Sequence, residues 1–300
     1  MKKLIVDKKN DNKKLNTFIL SSFPNLKSNT LYKALRQKDI RINNIRVNNN
    51  QIVHFGDEIK IYIKDELLLG NSTNIDLNII YEDDNIIVIN KPEGISVVDN
   101  DNKSQTLTTL LNSKYEYILP CHRIDRNTKG LVLFAKNELA YKILSNKFKN
   151  KEIEKHYLAI VYGIPAKNHD ILEAYLFKDS KKSLVYISDK FKKGYSKIIT
   201  EYTLLKKDNK SNISYLDVNL HTGKTHQIRA HLAHIGHPII GDGKYGKNDI
   251  NKKFGKKNQE LYSYSLKFNF STDSNILNYL NRKVIELKID KIYSEIDSAI

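Results

Sequence analysis

The chain of 300 residues is 40% hydrophobic and carries 50 Lys+Arg against 34 Asp+Glu, a formal net charge of +16. This supports one large domain plus a small one around a real core, and excludes a disordered chain. No apolar run approaches the roughly 18 residues that a membrane-spanning helix needs, and the lone Cys121 excludes an internal disulfide framework or a cysteine-based zinc site.

The opening MKKLIVDKKNDNKK has only Leu4, Ile5 and Val6 as its apolar segment, too short for a signal peptide, so a soluble, cytoplasmic protein is expected. Residues 1–64 hold 14 Lys+Arg and 5 Asp+Glu, which places +9 of the +16 in about a fifth of the chain. Lysine richness can reflect composition alone, but its concentration in one small segment favours a nucleic-acid partner.

Within that segment, Leu15 to Leu26 has helical spacing and runs out near Pro24 and Asn25. Ser28 can cap a second helix over 29–37, with Leu31, Ala34 and Leu35 on one face and Lys33, Arg36 and Lys38 on the other. Two short strands follow around an Asn43-Asn44 turn and carry Arg41 and Arg46; a third is expected from Ile59 to Ile63. Residues 1–64 are thus expected to form a small basic domain and 65–74 a linker. Residues 75–300 form the second domain.

From Ile75 the segments lengthen and become strand-rich. Ile79–Tyr81 and Ile86–Ile89 read as a hairpin closed by Asn90-Lys91-Pro92-Glu93-Gly94. The stretch HRIDRNTKGLVLFAKN, 122–137, puts Asp125 between Arg123 and Arg126 and then enters the apolar run Leu131–Ala135, a buried strand. A charged segment feeding a core strand holds its side chains at a rigid rim. Residues 137–150 read as a helix with Leu139, Ile143, Leu144 and Phe148 inward and its lysines in solvent. Strands are expected over 156–162, 171–177, 184–188, 197–205 and 213–220. Many strands with few helices between them imply an α+β fold with a mixed, mostly antiparallel sheet flanked by helices.

The last dense cluster, 221–246, reads HTGKTHQIRAHLAHIGHPIIGDGKYG. Thr222 or Thr225 can cap a helix with Ile228, Leu232 and Ile235 on its apolar face, stopped by Gly236 and Pro238. Arg229 lies on another face, where a guanidinium can grip a carboxylate bidentately and keep it ionised when water is excluded. Gly223-Lys224-Thr225 lacks the earlier glycine of a phosphate-binding loop, since Val218 stands there. The histidines at 221, 226, 231, 234 and 237 diverge around a helix and include no HExxH, so no metal site is expected.

The segments HRIDRNTKGLVLFAK, KHYLAIVYG (155–163) and the 222–246 cluster, in that order and preceded by NKPEGIS (90–96), resemble the signature regions of the RluA-type pseudouridine synthases over nearly all of 75–270. The 1–64 pattern, with RINNIRV and GDEI, resembles the small RNA-binding module first known from a small-subunit ribosomal protein, which many such synthases carry. The resemblance implies isomerisation of uridine in structured RNA, large-subunit ribosomal RNA ahead of tRNA, with no cofactor. It assigns Asp125 as the catalytic aspartate, Tyr157 as the tyrosine that stacks on the base, Arg229 as the partner of the aspartate and Arg123 as an aid to base flipping. His122, Arg126 and His226 are expected to contact RNA, as are Lys33, Arg36, Lys38, Arg41 and Arg46 of the basic domain. The rival reading is a catalytically idle RNA-binding or assembly factor. A monomer is expected. Lys129, Asn127, Tyr262 and the tail from Asn275 depart from the family pattern.

Overall fold

The computed structural model describes residues 1–24, 26, 28–64, 68, 77–98 and 105–297, and the linker expected over 65–74 lies outside them apart from Leu68. The described residues fall into two compact units, one within residues 1–76 and the other from Leu77 onward apart from the 99–105 segment.

The first unit contains β1 (Lys2–Ile5), β2 (Lys13–Lys14), α1 (Leu15–Ser22), α2 (Ser28–Arg36), β3 (Ile40–Ile42), β4 (Ile45–Val47), β5 (Ile52–Val53) and β6 (Glu58–Ile61). Leu15, Phe18 and Ile19 of α1 and Leu31, Ala34 and Leu35 of α2 bury their faces against the sheet β1-β6-β3-β4. The helix α1 ends at Ser22, just before Pro24, whose ring has no N–H to continue it. The β3–β4 turn holds Asn43 and Asn44 at φ 49° and 69°, the left-handed pair that a tight hairpin requires and asparagine tolerates. Lys33, Arg36, Lys38 and Arg46 are exposed, while Arg41 is half-buried with its guanidinium 4.8 Å from the Tyr62 ring centroid.

The second unit begins with β7 (Ile79–Glu82), β8 (Ile86–Lys91), α3 (Leu107–Asn112), β9 (Leu119–Pro120), β10 (Lys129–Ala135) and α4 (Glu138–Lys149). It continues with β11 (Ile153–Tyr162), β12 (His169–Asp179), β13 (Leu184–Ser188), β14 (Ser196–Asp208), β15 (Ile213–Leu220), α5 (Gln227–His234), α6 (Asn248–Lys253), β16 (Leu261–Phe268), β17 (Val284–Glu286) and α7 (Ile289–Asp297). One mixed sheet runs β13-β12-β14-β15-β11-β16-β10-β8-β7, with β17 added beside β16 and β9 beside β10. Among the described residues β10 and β16 form its parallel pair, and the other ladders are antiparallel. That pair meets at Lys129↔Tyr262 and Gly130↔Ser263. Gly130 sits at φ +110°, and a Cβ there would collide with the Ser263 backbone, so only glycine permits this approach.

Two expectations for 137–150 are corrected. Asn137 caps α4 by accepting from the Ala140 N–H, but Leu139 is 46% exposed and Ala140 takes the buried position. Lys147 is buried rather than solvated, because its ammonium donates to Glu152 at 2.8 Å and to the Thr272 side chain at 2.7 Å. The charge is matched, so the lysine stem serves as core. The atypical tail is also structural: β17 pairs with β16, Ile292 of α7 is buried, and Tyr293 meets Tyr215 edge to face at 5.1 Å. Among the described residues no helix is long and apolar enough to cross a membrane.

Candidate active site

The segment between β9 and β10 carries Asp125 and is tied down on every side. Cys121 N–H donates to the Leu133 carbonyl at 2.9 Å, and the Leu133 N–H donates to His122 Nε2 at 3.1 Å. Burial, and then the charge of Lys155, pushes the His122 imidazole down to about 3, so the ring is a neutral acceptor. Burial likewise raises the Cys121 thiol, which keeps it protonated near neutral pH. Thr128 N–H closes a turn onto the Asp125 carbonyl at 3.1 Å, and Gln259 Nε2 donates to Thr128 Oγ1 at 3.2 Å. Arg126 does not face the cleft; its Nε donates to the Gly94 carbonyl at 2.8 Å.

The fully buried Lys91 is the hub of that attachment. Its ammonium donates to the carbonyls of Pro92 at 2.7 Å, Ile95 at 2.9 Å and Arg126 at 2.9 Å, joining the 92–95 loop to the residue after Asp125. Burial lowers the amine to about 8 despite the opposing pull of Asp125 and Glu93.

From the far side comes α5. Neither Thr222 nor Thr225 caps it. The N-cap is His226 at φ 53°, with no side-chain capping bond, and Gln227 folds back so that its Oε1 accepts from Thr222 Oγ1 at 2.9 Å and from Lys224 N–H at 3.1 Å. Gln227 Nε2 donates to the Ile199 carbonyl and Thr200 Oγ1, fastening the helix start to β14. This delivers Arg229, buried, with Nη1 at 2.8 Å from Asp125 Oδ2.

The bidentate grip expected on the Asp125 carboxylate closes elsewhere. Arg229 Nε and Nη2 donate to the two oxygens of fully buried Asp242 at 2.7 and 2.9 Å, and Asp125 receives one bond. Burial works against the Arg229 charge, but Asp242 and then Asp125 outweigh it and raise the guanidinium above its ordinary value. Asp242 is held low against its own burial by Arg229 and by the N–H groups of Lys244 and Tyr245. His226 Nε2 lies 3.9 Å from Asp125 Oδ2, with its Nδ1 2.9 Å from the Tyr245 hydroxyl.

A cleft of about 510 Å³, in the range of small-molecule sites, is lined by Arg123, Asp125, Lys155, Tyr157, His226 and Arg229, and by His122 at one edge. Tyr157 enters on β11, just past a bulge between His156 and Tyr157, and is buried. Burial and the nearby Asp125 charge push its hydroxyl well above the usual tyrosine range, so it keeps its proton at neutral pH. Arg123 is exposed at the rim.

The family model for RNA pseudouridylate synthase matches residues 85–234. An uncharacterized RNA pseudouridine synthase of Mycoplasma capricolum subsp. capricolum is 32% identical over 304 aligned residues, covering 95% of this chain and 97% of that protein. The chain belongs to the RNA pseudouridylate synthase family. A ribosomal large subunit pseudouridine synthase C of Buchnera aphidicola subsp. Acyrthosiphon pisum is 33% identical, covering 82% of this chain and 81% of its own. In fold, human RNA pseudouridylate synthase domain containing 4 superposes with a TM-score of 0.59 at 20% identity, covering 74% of this chain and 92% of its own.

Of the sequence-expected residues in this synthase, the structure gathers Asp125, Tyr157, Arg229, Arg123, His122 and His226 at one cleft. Lys33, Arg36, Lys38, Arg41 and Arg46 belong to the other unit. Sequence reasoning missed Asp242 and Lys91. Their signals were present in GDGKYG and NKPEG, but an acid beside two glycines reads as a turn and a lysine before proline as solvated surface.

Two family departures acquire a physical account. Lys129 places its ammonium 4.5 Å from the Tyr262 ring centroid and 3.5 Å from Glu260, whose carboxylate also accepts from the Tyr262 hydroxyl at 2.6 Å and pairs with Lys256 at 3.4 Å. Asn127 donates to Asn258 at 2.8 Å. Both residues tie the segment around Asp125 to residues 258–262, which lead into β16.

Proposed function

We propose that this synthase converts specific uridines of large-subunit ribosomal RNA to pseudouridine, with Asp125 as its catalytic residue. The observation that carries the reading is the carboxylate of Asp125, held by Arg229 in a cleft that Tyr157 also lines. The relatives' names support a ribosomal substrate, and the separate basic unit, with Lys33, Arg36, Lys38, Arg41 and Arg46, suits docking on a large structured RNA through phosphate contacts.

The target base must leave its stack, at a cost of roughly a few kcal/mol. In this reading Arg123, exposed beside the cleft, fills the vacated position and the Tyr157 ring receives the base. Asp125 attacks at the sugar or base, the bond from C1′ to N1 breaks and the base turns; a bond from C1′ to C5 then forms and the bond to Asp125 breaks, which frees the carboxylate. The proton on C5 leaves and N1 gains one, so substrate and product are isomers. The balance involves neither oxidation nor hydrolysis, and one oriented carboxylate suffices. Tyr157, protonated at rest, acts first as a stacking surface and an O–H donor. Removal of the C5 proton by its oxygen would need the negative charge of Asp125 to be engaged with substrate beforehand.

The test is to map pseudouridine in ribosomal and transfer RNA from cells with and without the gene, and to repeat it with Asp125→Asn. The expected result is loss of specific large-subunit sites in both cases, with RNA binding by the variant retained. Full modification with Asp125→Asn would overturn the assignment, and an unchanged map without the gene would favour an idle RNA-binding factor. Loss confined to tRNA would move the substrate there.

A further inference from the structure

The hairpin of β12 and β13 has two unlike faces. Its inner face is ordinary core: Ala174, Leu176 and Val185 pack with Ala230 of α5, the helix that carries Arg229. The Val185 N–H donates to the Tyr245 hydroxyl that also meets His226, and Lys178 lines the cleft. The hairpin therefore backs directly onto the active site.

Its outer face should be polar, since alternate side chains of a half-buried strand point to water. It is aromatic instead. Phe177 and Tyr186 are cross-strand partners, Tyr175 lies two residues away on the same face, and Phe191 and Tyr195 come from the loop after β13. The rings order one another: Phe177 stacks on Tyr195 with centroids at 5.4 Å and planes at 27°, and Phe191 meets Tyr175 edge to face at 5.5 Å. Mutual packing leaves much of their area open, with Phe191 68%, Tyr186 40% and Phe177 38% exposed.

The same segment is basic. Between Asp179 and Lys193 five lysines, 181, 182, 190, 192 and 193, stand against two aspartates. Asp179 is engaged by the Lys182 N–H and Asp189 by His234 at 2.8 Å, while all five lysines are exposed. Lys192 reaches to 5.7 Å from the Tyr195 ring centroid. Open ring faces interleaved with unburied cations match the stacked bases and phosphates of unpaired RNA. An acidic or purely apolar partner would use only half of these groups.

We propose that the outer face of the β12–β13 hairpin is a stacking platform for unpaired nucleotides of the substrate RNA, adjoining the flipped uridine. The inference rests on the RNA-modifying reading and adds where the strand next to the target is held. The platform lies on the face of the hairpin opposite α5, and Lys178 of the same hairpin lines the cleft, so a few extended nucleotides would cross from one to the other. Stacking tolerates any base, so the platform supplies affinity and direction, and sequence choice is left to the cleft.

The test uses the full chain and a labelled oligouridylate of about 16 nucleotides, the upper span of comparable single-strand platforms. Phe191→Ala, Phe191→Leu and the pair Lys192→Glu with Lys193→Glu alter exposed side chains, and circular dichroism checks their fold. Phe191→Ala and Phe191→Leu should each weaken binding roughly fivefold or more, because leucine keeps apolar area but offers no ring face. The lysine pair should weaken binding and flatten its salt dependence. Unchanged affinity in the phenylalanine variants would overturn the platform. So would a wild-type dimer in sedimentation that Phe191→Ala dissolves, since the face would then seat a second copy. Pseudouridine formation by the wild type is measured alongside: if it is present while binding is indifferent to Phe191, the platform alone fails, and if it is absent the activity reading fails separately.

Discussion

Asp242 holds Arg229 through both carboxylate oxygens, at 2.7 and 2.9 Å, and leaves the guanidinium's Nη1 to reach Asp125. The Asp125 carboxylate is thus oriented by an arginine that is itself oriented from behind. Such a buried pair is costly to break from one side, because the remaining charge has no water to turn to.

Asp242→Ala should therefore destabilise the protein by roughly 3–5 kcal/mol. Asp242→Asn keeps the shape and loses the charge, so it should retain the fold while kcat falls tenfold or more with a small change in KM. Thermal melts and single-turnover assays on ribosomal RNA separate these effects. Full kcat in a folded Asp242→Asn would show that Arg229 needs no support.

Lys91→Met removes the cation on which three carbonyls converge and leaves them without that donor. Stability should fall by roughly 2–3 kcal/mol, and turnover should fall too because the Arg126 carbonyl adjoins Asp125. Hydrogen exchange at residues 92–96 and 123–128 should rise together in this variant. An increase confined to one of the two loops would show that Lys91 does not couple them.

Gly130→Ala places a methyl against the Ser263 backbone at the β10–β16 junction and forces a non-glycine residue to φ +110°. A loss of roughly 2–3 kcal/mol is expected from overpacking alone. The damage should reach activity, since Asp125 lies five residues before this point. A variant with unaltered melting and turnover would mean the strands can part there at little cost.

The pair of Lys147 and Glu152 makes stability depend on acid. Burial favours the neutral Glu152, but bonds from Lys147, Thr272 and the Ser271 and Thr272 N–H groups outweigh it and bring its carboxyl down to about 2, from an ordinary 4.5. A depressed carboxylate contributes stability that is present above 4.5 and is lost as pH falls toward 2. Glu152→Gln should cost roughly 3 kcal/mol near neutral pH, and the gap in melting temperature between the two proteins should close on acidification through that window. A gap constant down to pH 2 would argue against this ion pair.

The sequence by itself singled out the segments that line the cleft proposed to carry chemistry. The carboxylate between two arginines, the tyrosine of KHYLAIVYG and the arginine of HQIR were legible because each lies beside a strongly patterned strand or helix whose period is local. The β10 strand, the Asn43-Asn44 turn and the arrest of α1 before Pro24 were legible for the same reason. Tertiary structure decided the partnerships. Arg229 lies 104 residues from Asp125, and its stronger hold is on Asp242. Lys147 and Lys91 become interior residues only because Glu152 and a ring of carbonyls from other segments meet their charge. Side-chain type sets the cost of burying an ion; whether that cost is met depends on groups brought close by the fold, and a period along one segment carries no information about them.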